Sequence, residues 1–182
     1  QDEAYIEGTS RSVGTFNSKT SKKWSVKSYL KTLENENWLN LPQLQKNSWV
    51  YLGMFPNFVL GLYPDCVIYY YEYPLSAKKT IQQGGVLRHK SETRKNRVAR
   101  YLSGRIDRDT AKEDQMLVVW SSEAVKSSAF SGMCLSDLES GVKTYHDHLK
   151  ELLPVLNKEN EPTEKSFSNL NIRLLDEKSI LG

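Results

Sequence analysis

Four short runs of apolar and aromatic residues between positions 49 and 89 constrain the fold of this chain more than any other feature. In the first run, Trp49 to Phe55, apolar side chains occupy both alternating faces, which predicts a strand covered on both sides. The other runs are Phe58 to Tyr63, Cys66 to Tyr73 and Thr80 to Arg88. The connections are short, and a parallel crossover needs about a dozen residues or more. The region therefore predicts an antiparallel meander.

Prolines and glycines mark the irregular positions of this meander. Pro56-Asn57 predicts a bend and Pro64-Asp65 a turn, because these residues favour the dihedral angles that turns require. Gly84-Gly85 interrupts the last strand, where adjacent glycines are typical of a bulge or a close backbone approach.

The chain after the strands carries helical periodicity. A helix is expected over residues 91–103, with Gly104 breaking or bending it before a second helix over 107–128. The pair Ser136 and Glu139 has the spacing of a capping box and predicts the start of a further helix. Strands followed by long helices are typical of the α+β class. We therefore predict an antiparallel sheet gripped by a long helix, the helix-grip fold.

Composition divides the chain into three parts. Residues 1–48 are mostly polar and are expected to lead into the domain, with a short helix around 26–33. Residues 49–156 hold the predicted strands and helices. Residues 157–182 form a tail whose short apolar stretch is expected to be an edge strand or a disordered end.

Asp114 is the residue of helix 107–128 that most needs a physical explanation. At about 100° per residue, it lies in one stripe with Ala111, Val118 and Val125. A carboxylate buried in such a stripe is costly unless it is paired, hydrogen-bonded or bound to a metal. One interpretation is an Asp at the rim of the stripe that pairs with a Lys or Arg, and the other is a metal ligand.

An ordered set of short motifs surrounds this helix. It comprises Phe55-Pro56-Asn57, Tyr73-Pro74-Leu75, Glu113-Asp114-Gln115-Met116-Leu117, Ser127, Leu135-Ser136-Asp137-Leu138-Glu139, Gly141, Val142, Tyr145, His146, Leu149 and Leu152-Leu153-Pro154. The set resembles the catalytic domain of Rieske-type non-heme iron oxygenases, in particular ring-hydroxylating alpha subunits and choline and carnitine monooxygenases. By this resemblance, residues 49–156 are the C-terminal half of such a domain. Ser121-Ser122 departs from the family, whose members often carry Gln in that turn.

The resemblance implies a site and a chemistry. In the family, an Asp on this helix is the carboxylate of a 2-His-1-carboxylate Fe(II) site, which implies Asp114 as the metal ligand here. It also implies O₂-dependent hydroxylation or oxidative demethylation of an organic substrate. The electrons would come from NAD(P)H through a reductase or ferredoxin and a [2Fe–2S] Rieske cluster. Because the cluster of one subunit serves the iron of its neighbour in such enzymes, the resemblance implies a homotrimer or a multiple of it.

The two histidines of that iron site have no counterpart in this sequence. The family supplies them from a His-x4-His segment, and this chain contains none. His146 and His148 would point about 200° apart on a helix, so they cannot ligate one ion together. The Cys and His ligands of a Rieske cluster are also absent. The chain begins at Gln1 without Met, so we expect these ligands to lie upstream, on another chain, or to be lost.

Aromatic side chains on the strands supply the candidate substrate pocket. Most of the strand aromatics are expected to belong to the core. Trp49, Tyr51, Asn57 and Phe58 are the residues expected to line a pocket opposite the helix of Asp114. The alternative function is an iron-free helix-grip module that binds an apolar small ligand, with Asp114 in a salt bridge or without a role. A non-catalytic structural subunit of an oxygenase complex is a third hypothesis.

Net charge, hydropathy and cysteine spacing limit the partners and the compartment expected for this chain. The net charge is +3, and Lys and Arg are spread along the chain, so no nucleic-acid partner is expected. A basic cluster over 88–100 is expected to be the solvated start of a helix, and a docking surface for an acidic redox partner is the alternative. No apolar run approaches about 18 residues, so no membrane span is expected. Cys66 and Cys134 lack metal-site spacing and are expected to be buried, reduced thiols of a cytoplasmic protein, with a disulfide between them as the alternative.

Overall fold

One antiparallel sheet, with its strands in sequence order, forms the centre of the chain. The computed structural model describes residues 3–4, 8–16, 23–34, 41–76, 78–160, 162–163 and 166–181. Within them the strands are β1 (Glu3–Ala4), β2 (Thr9–Thr15), β3 (Ser48–Met54), β4 (Phe58–Leu62), β5 (Val67–Ser76) and β6 (Lys79–Leu87). The predicted meander is confirmed, because each neighbouring pair from β3 to β6 is antiparallel and joined by a short connection.

The helices follow the sheet and also precede its third strand. They are α1 (Trp24–Glu34), α2 (Gln43–Lys46), α3 (Arg94–Ala124), α4 (Ser140–Leu152) and α5 (Phe167–Leu181). No helix of the described residues is long and apolar enough to cross a membrane. The predicted capping box is present: Ser136 N–H donates to Glu139 Oε2 at 2.7 Å, and the Ser136 side chain accepts the return hydrogen bond.

The helix α3 is continuous over 31 residues, so the predicted break at Gly104 is wrong. A glycine inside a helix costs about 1 kcal/mol relative to alanine. Leu102, Ser103 and Ile106 are buried on either side of Gly104. Packing of this turn therefore offsets the local preference of the glycine, and the helix runs through it.

The hydrophobic core lies where α1 and the first half of α3 pack against one end of the sheet. Its buried members are Val26, Tyr29, Leu30, Leu33, Trp49, Tyr63, Cys66, Ala99, Leu102 and Ile106. The helix predicted around 26–33 is confirmed by α1, whose core residues recur at helical spacing. A sheet covered by a long helix is the α+β, helix-grip arrangement, so the predicted fold class is confirmed.

The N-terminal segment, expected to lead into the domain, contributes a strand and a helix to it. Thr9 to Thr15 pair with Met54 to Ser48 along the whole of β2, and α1 packs on α3. A polar strand is accommodated here because one face of an antiparallel sheet can stay in contact with water.

The C-terminal tail is helical where it was expected to be an edge strand or disordered, so that prediction is wrong. In α5, Leu170 and Asn171 are buried. The Asn171 side chain donates to the Leu152 carbonyl at 3.2 Å and accepts from Val155 N–H at 3.3 Å. A short apolar stretch is compatible with a strand or a helix, and these contacts with the end of α4 favour the helix.

The two cysteines differ in their surroundings. Both are free thiols, as expected, and Cys66 is buried. Burial raises the pKa of the Cys66 thiol, with the charge of Asp65 adding to the effect. Cys134 is exposed, so the expectation that it is buried is wrong. It lies in the irregular stretch between α3 and α4, where residues 125–134 are all exposed.

Gly84 confirms the close backbone approach predicted for β6. A Cβ at this position would lie 2.1 Å from the Tyr69 carbonyl oxygen and 2.9 Å from Tyr70 Cα. We expect Gly84→Ala to lower the free energy of unfolding by about 2 kcal/mol, because backbone atoms cannot rotate away from the added methyl group. Gly14→Ala is the control, since no described residue lies within 4 Å of its Cβ position, and its expected change is under about 0.5 kcal/mol. Urea unfolding measures both, and equal effects would contradict the clash.

Candidate functional site

An open cavity of about 780 Å³ separates the sheet from α3. Strand residues form its floor and one face of α3 forms its wall. Its lining residues are Tyr51, Tyr63, Ile68, Tyr69, Tyr70, Gln82, Gly84, Gly85, Val86, Asp107, Arg108, Thr110, Ala111 and Asp114. The cavity therefore brings together Asp114 and Tyr51, two of the residues singled out in the sequence.

Asp114 lines this cavity, yet it is exposed to solvent. The resemblance predicts a carboxylate that points into the interior, toward a cavity walled by strand aromatics, and not toward solvent. Asp114 does line such a cavity, but its exposure contradicts the prediction that it is turned away from solvent. Its neighbours in the stripe are exposed as well, Val118 at 68% and Val125 at 53%. Helical periodicity identifies the residues that share a face of α3. Beyond residue 110, no described segment of the chain packs on that face. No hydrogen bond or ion pair joins Asp114 to another described residue, which leaves the salt-bridge interpretation without a partner in this part of the chain.

Three oxygen-bearing side chains form a continuous hydrogen-bonded chain along the cavity. The hydroxyl groups of Tyr51 and Tyr63 are 2.7 Å apart. Tyr63 Oη donates to Asp107 Oδ1, also at 2.7 Å. Tyr63 is held in place by its ring, which stacks on Trp49 with 3.9 Å between centroids and 8° between planes. The chain thus links a strand, the turn after β4 and α3.

The surroundings of Asp107 favour its neutral form. Burial raises the pKa of Asp107 to about 6, and the charge of Asp65 acts in the same direction. The hydrogen bond donated by Tyr63 and the positive charge of Arg108 oppose this rise. Desolvation penalises a carboxylate that is only partly compensated, so Asp107 titrates close to neutral pH.

Tyr51 keeps its proton across the physiological range. Burial raises the pKa of Tyr51 to about 12, while its hydrogen bond with Tyr63 opposes the rise. The charges of Asp107 and Asp114 both disfavour the phenolate. The cavity therefore presents neutral tyrosine hydroxyls beside two carboxyl groups.

The four residues expected to line a substrate pocket occupy three different places. Tyr51 lines the large cavity. Asn57 and Phe58 line a smaller pocket of about 120 Å³ between the sheet and α4. Trp49 is 5% exposed and belongs to the core. Aromatic content marks these residues as inward-facing, but it does not distinguish core packing from a cavity wall.

Asp65 is a buried carboxylate at the junction of α1 and α3. It accepts hydrogen bonds from the hydroxyl of Tyr29 and from Ser103 Oγ, the latter at 2.7 Å. Trp49 Nε1 donates to Tyr29 Oη at 3.1 Å. Asp65 is 7% exposed and lines no cavity described here, so the Pro64-Asp65 turn has a structural role.

The described residues do not form a complete iron site. No group of three His, Cys, Asp or Glu side chains that could hold a metal ion occurs among them. His148 is engaged elsewhere, because its Nε2 accepts from Gly8 N–H at 2.6 Å and its Nδ1 lies 3.4 Å from Glu151 Oε2. A facial Fe(II) site needs two histidines and one carboxylate. The cavity offers carboxylates without the histidines.

The sequence interpretation missed Asp107 and Tyr63. A signal for Asp107 was present, since it lies seven residues before Asp114 and therefore on the same helix face. No comparable signal marked Tyr63, because its partners come from other elements of the fold.

Comparison with protein families identifies a family whose model matches most of the chain. The model of the family described as ring hydroxylating alpha subunit (catalytic domain) matches residues 3–154. The match begins at β1 and ends at Pro154, just after α4, so it includes the cavity and both of its carboxylates. Comparison with curated proteins finds no match, and comparison with solved structures finds none either.

Proposed function

Because this chain belongs to the family of ring-hydroxylating alpha-subunit catalytic domains, we propose that it is the catalytic-domain part of a Rieske-type oxygenase. Membership of the family makes the chain part of an oxidoreductase. The proposed reaction is O₂-dependent hydroxylation or oxidative demethylation of an organic substrate at a mononuclear Fe(II). The proposed electrons come from NAD(P)H through a reductase or ferredoxin and a [2Fe–2S] Rieske cluster.

The position of Asp114 carries this proposal. Its carboxylate lines a cavity and has no hydrogen-bond or ion-pair partner within the described part of the chain, so it is available to a ligand. We propose that Asp114 supplies the anionic ligand of the iron and that both histidines come from outside these 182 residues. The cavity volume lies within the range of about 300–1,000 Å³ that is usual for small-molecule sites.

The part of α3 that follows Asp114 supports the proposal that another segment or subunit contributes to the iron site. Val118 is 68% exposed and Trp120 58% exposed on the half of the helix that extends past Asp114. Large apolar side chains left in water favour burial by another segment or subunit. This agrees with a proposed homotrimer, or a multiple of it, in which the remaining ligands complete the cavity. The dependence of the proposed reaction on NAD(P)H favours the cytoplasm as its compartment.

A second candidate function rests on the smaller pocket. Met54, Phe55, Phe58 and Tyr145 are among the residues that line it, so its wall is largely apolar. An iron-free module would bind a small apolar ligand there by excluding water from these side chains. In that case Asp114 would be an exposed surface residue without a chemical role.

Iron analysis of the protein expressed from its whole reading frame tests the proposal. We expect mononuclear iron in addition to the irons of the Rieske cluster, detected by metal analysis and by separate spectroscopic signals. A protein without mononuclear iron that binds toluene, with chemical-shift changes confined to Phe58 and Tyr145, would support the apolar-ligand module instead. Toluene is a suitable probe because it is apolar and small enough for a pocket of about 120 Å³.

A further inference from the structure

We propose that Asp107, Tyr63 and Tyr51 form a proton-handling chain, in which Asp107 holds a proton and Tyr51 presents a hydrogen to an oxygen acceptor of a ligand in the cavity. All three residues line that cavity. Their oxygen atoms are joined by two contacts of 2.7 Å. Among the described residues, the Tyr51 hydroxyl has no other hydrogen-bond partner, which leaves it as the open end of the chain.

The direction of the hydrogen bonds follows from the protonation of Asp107. An ionised carboxylate only accepts, and each tyrosine hydroxyl has a single hydrogen to donate. When Asp107 is ionised, Tyr63 donates to it, so Tyr51 must donate to Tyr63. The Tyr51 oxygen then offers only lone pairs to the cavity. The ionised chain therefore binds a hydrogen-bond donor at its open end.

Protonation of Asp107 at Oδ1, the oxygen bonded to Tyr63, reverses this arrangement. A protonated Asp107 Oδ1 donates to Tyr63 Oη, and Tyr63 donates to Tyr51 Oη. The hydrogen of Tyr51 is then free to reach an acceptor atom in the cavity. The chain is thus a switch with two settings, in which one proton on Asp107 changes Tyr51 from an acceptor to a donor.

Charges around the chain set the balance between the two settings. Asp65 favours protonation of Asp107 and Arg108 opposes it. The charges of Asp107 and Asp114 keep Tyr51 in its phenol form. Burial of Asp107 raises its pKa to about 6, so both settings are populated around pH 6. As the pH rises through this value, the acceptor setting replaces the donor setting.

Proton delivery through the chain balances without any further reactant. The proton of Asp107 passes to Tyr63, that of Tyr63 to Tyr51, and that of Tyr51 to the ligand. Asp107 ends as a carboxylate, the ligand gains one proton, and both tyrosines are unchanged. The switch itself does not depend on iron, whereas its use during turnover rests on the proposed oxygenase function.

Carbon-13 NMR of the 182-residue chain tests the switch, with label at the Asp carboxyl carbons and the Tyr ring carbons that bear the hydroxyl. We expect the Asp107 carboxyl to titrate with a pKa of about 6 and the Tyr51 signal to move with the same midpoint. Tyr70 is the internal control. It lines the cavity and senses the charge of Asp107, but no hydrogen bond joins it to the chain. The Tyr51 response should exceed that of Tyr70 at least twofold.

Two variants separate hydrogen-bond switching from the electrostatic effect. In Tyr63→Phe, Asp107 should still titrate, with a higher pKa because its carboxylate has lost a donor, and the Tyr51 response should fall to that of Tyr70. In Asp107→Asn, which retains size and an acceptor oxygen, the Tyr51 midpoint near pH 6 should disappear. Equal responses of Tyr51 and Tyr70 in the unchanged protein would overturn the proposal, as would a full response in Tyr63→Phe. Iron analysis of the complete protein decides the oxygenase function independently of either result.

Discussion

Replacing Asp114 by alanine is expected to abolish turnover and mononuclear iron binding in the complete oxygenase while the fold stays intact. In the proposed iron site, the carboxylate of Asp114 is the anionic member of a three-ligand set, and two neutral histidines alone hold Fe(II) poorly. Loss of a residue that merely supports a ligand lowers metal affinity about 10- to 100-fold, so loss of the ligand itself should exceed about 100-fold.

Because Asp114 is exposed, we expect its replacement to remove the iron without changing the stability of the fold. Because it is exposed and has no ion-pair partner among the described residues, Asp114→Ala should shift the free energy of unfolding of the 182-residue chain by under about 0.5 kcal/mol. Glu113→Ala is the matched control, since Glu113 is also exposed but does not line the cavity. It should retain iron and activity. Full iron content in the Asp114→Ala protein would end the metal-ligand hypothesis.

Asp65→Ala is expected to cost about 2–4 kcal/mol of folding free energy, the largest effect on stability of any substitution considered. Removal of the carboxylate leaves the hydroxyl group of Tyr29 without its acceptor, whereas Ser103 Oγ keeps the Arg100 carbonyl at 3.1 Å. Tyr29 is 0% exposed, so water cannot replace the lost carboxylate. An unsatisfied buried group costs about 1–3 kcal/mol. Thermal unfolding should show a midpoint lower by roughly 10 °C.

A double-mutant cycle with Tyr29→Phe tests the cause of that loss. Because Tyr29 and Asp65 are hydrogen-bonded to each other, the double variant should be more stable than the sum of the two single effects predicts, by about 1–3 kcal/mol. Strict additivity would show that the two groups act independently. A wild-type midpoint for Asp65→Ala would contradict the structural role altogether.

Much of the fold could be predicted because its signals are local. Side chains alternate along every strand, so the four runs between 49 and 89 indicated β3 to β6 and their antiparallel pairing. The capping box at Ser136 and Glu139 is made by residues three positions apart, and both of its hydrogen bonds are present. The close backbone approach at Gly84 was predictable in the same way, because a glycine within a strand often indicates such an approach.

The candidate site was only partly predictable, because its contacts join residues that are distant in the sequence. Asp107 and Asp114 share a helix face by spacing alone, but the partners of Asp107 are Tyr63 and, through it, Tyr51, which are distant in the chain. Asp65 lies in a Pro-Asp turn by sequence, and only packing between α1 and α3 turns it into a buried acceptor.

The sequence by itself determined which residues share a strand face or a helix face, since backbone geometry repeats every two or about 3.6 residues. The tertiary structure alone decided which of those faces are covered. It buried the first half of α3 against α1, continued the helix through Gly104, and left the stripe from Ala111 to Val125 exposed beside the cavity. Burial depends on which distant segments pack together. The periodicity of a helix or strand does not show which segment, if any, packs on each of its faces.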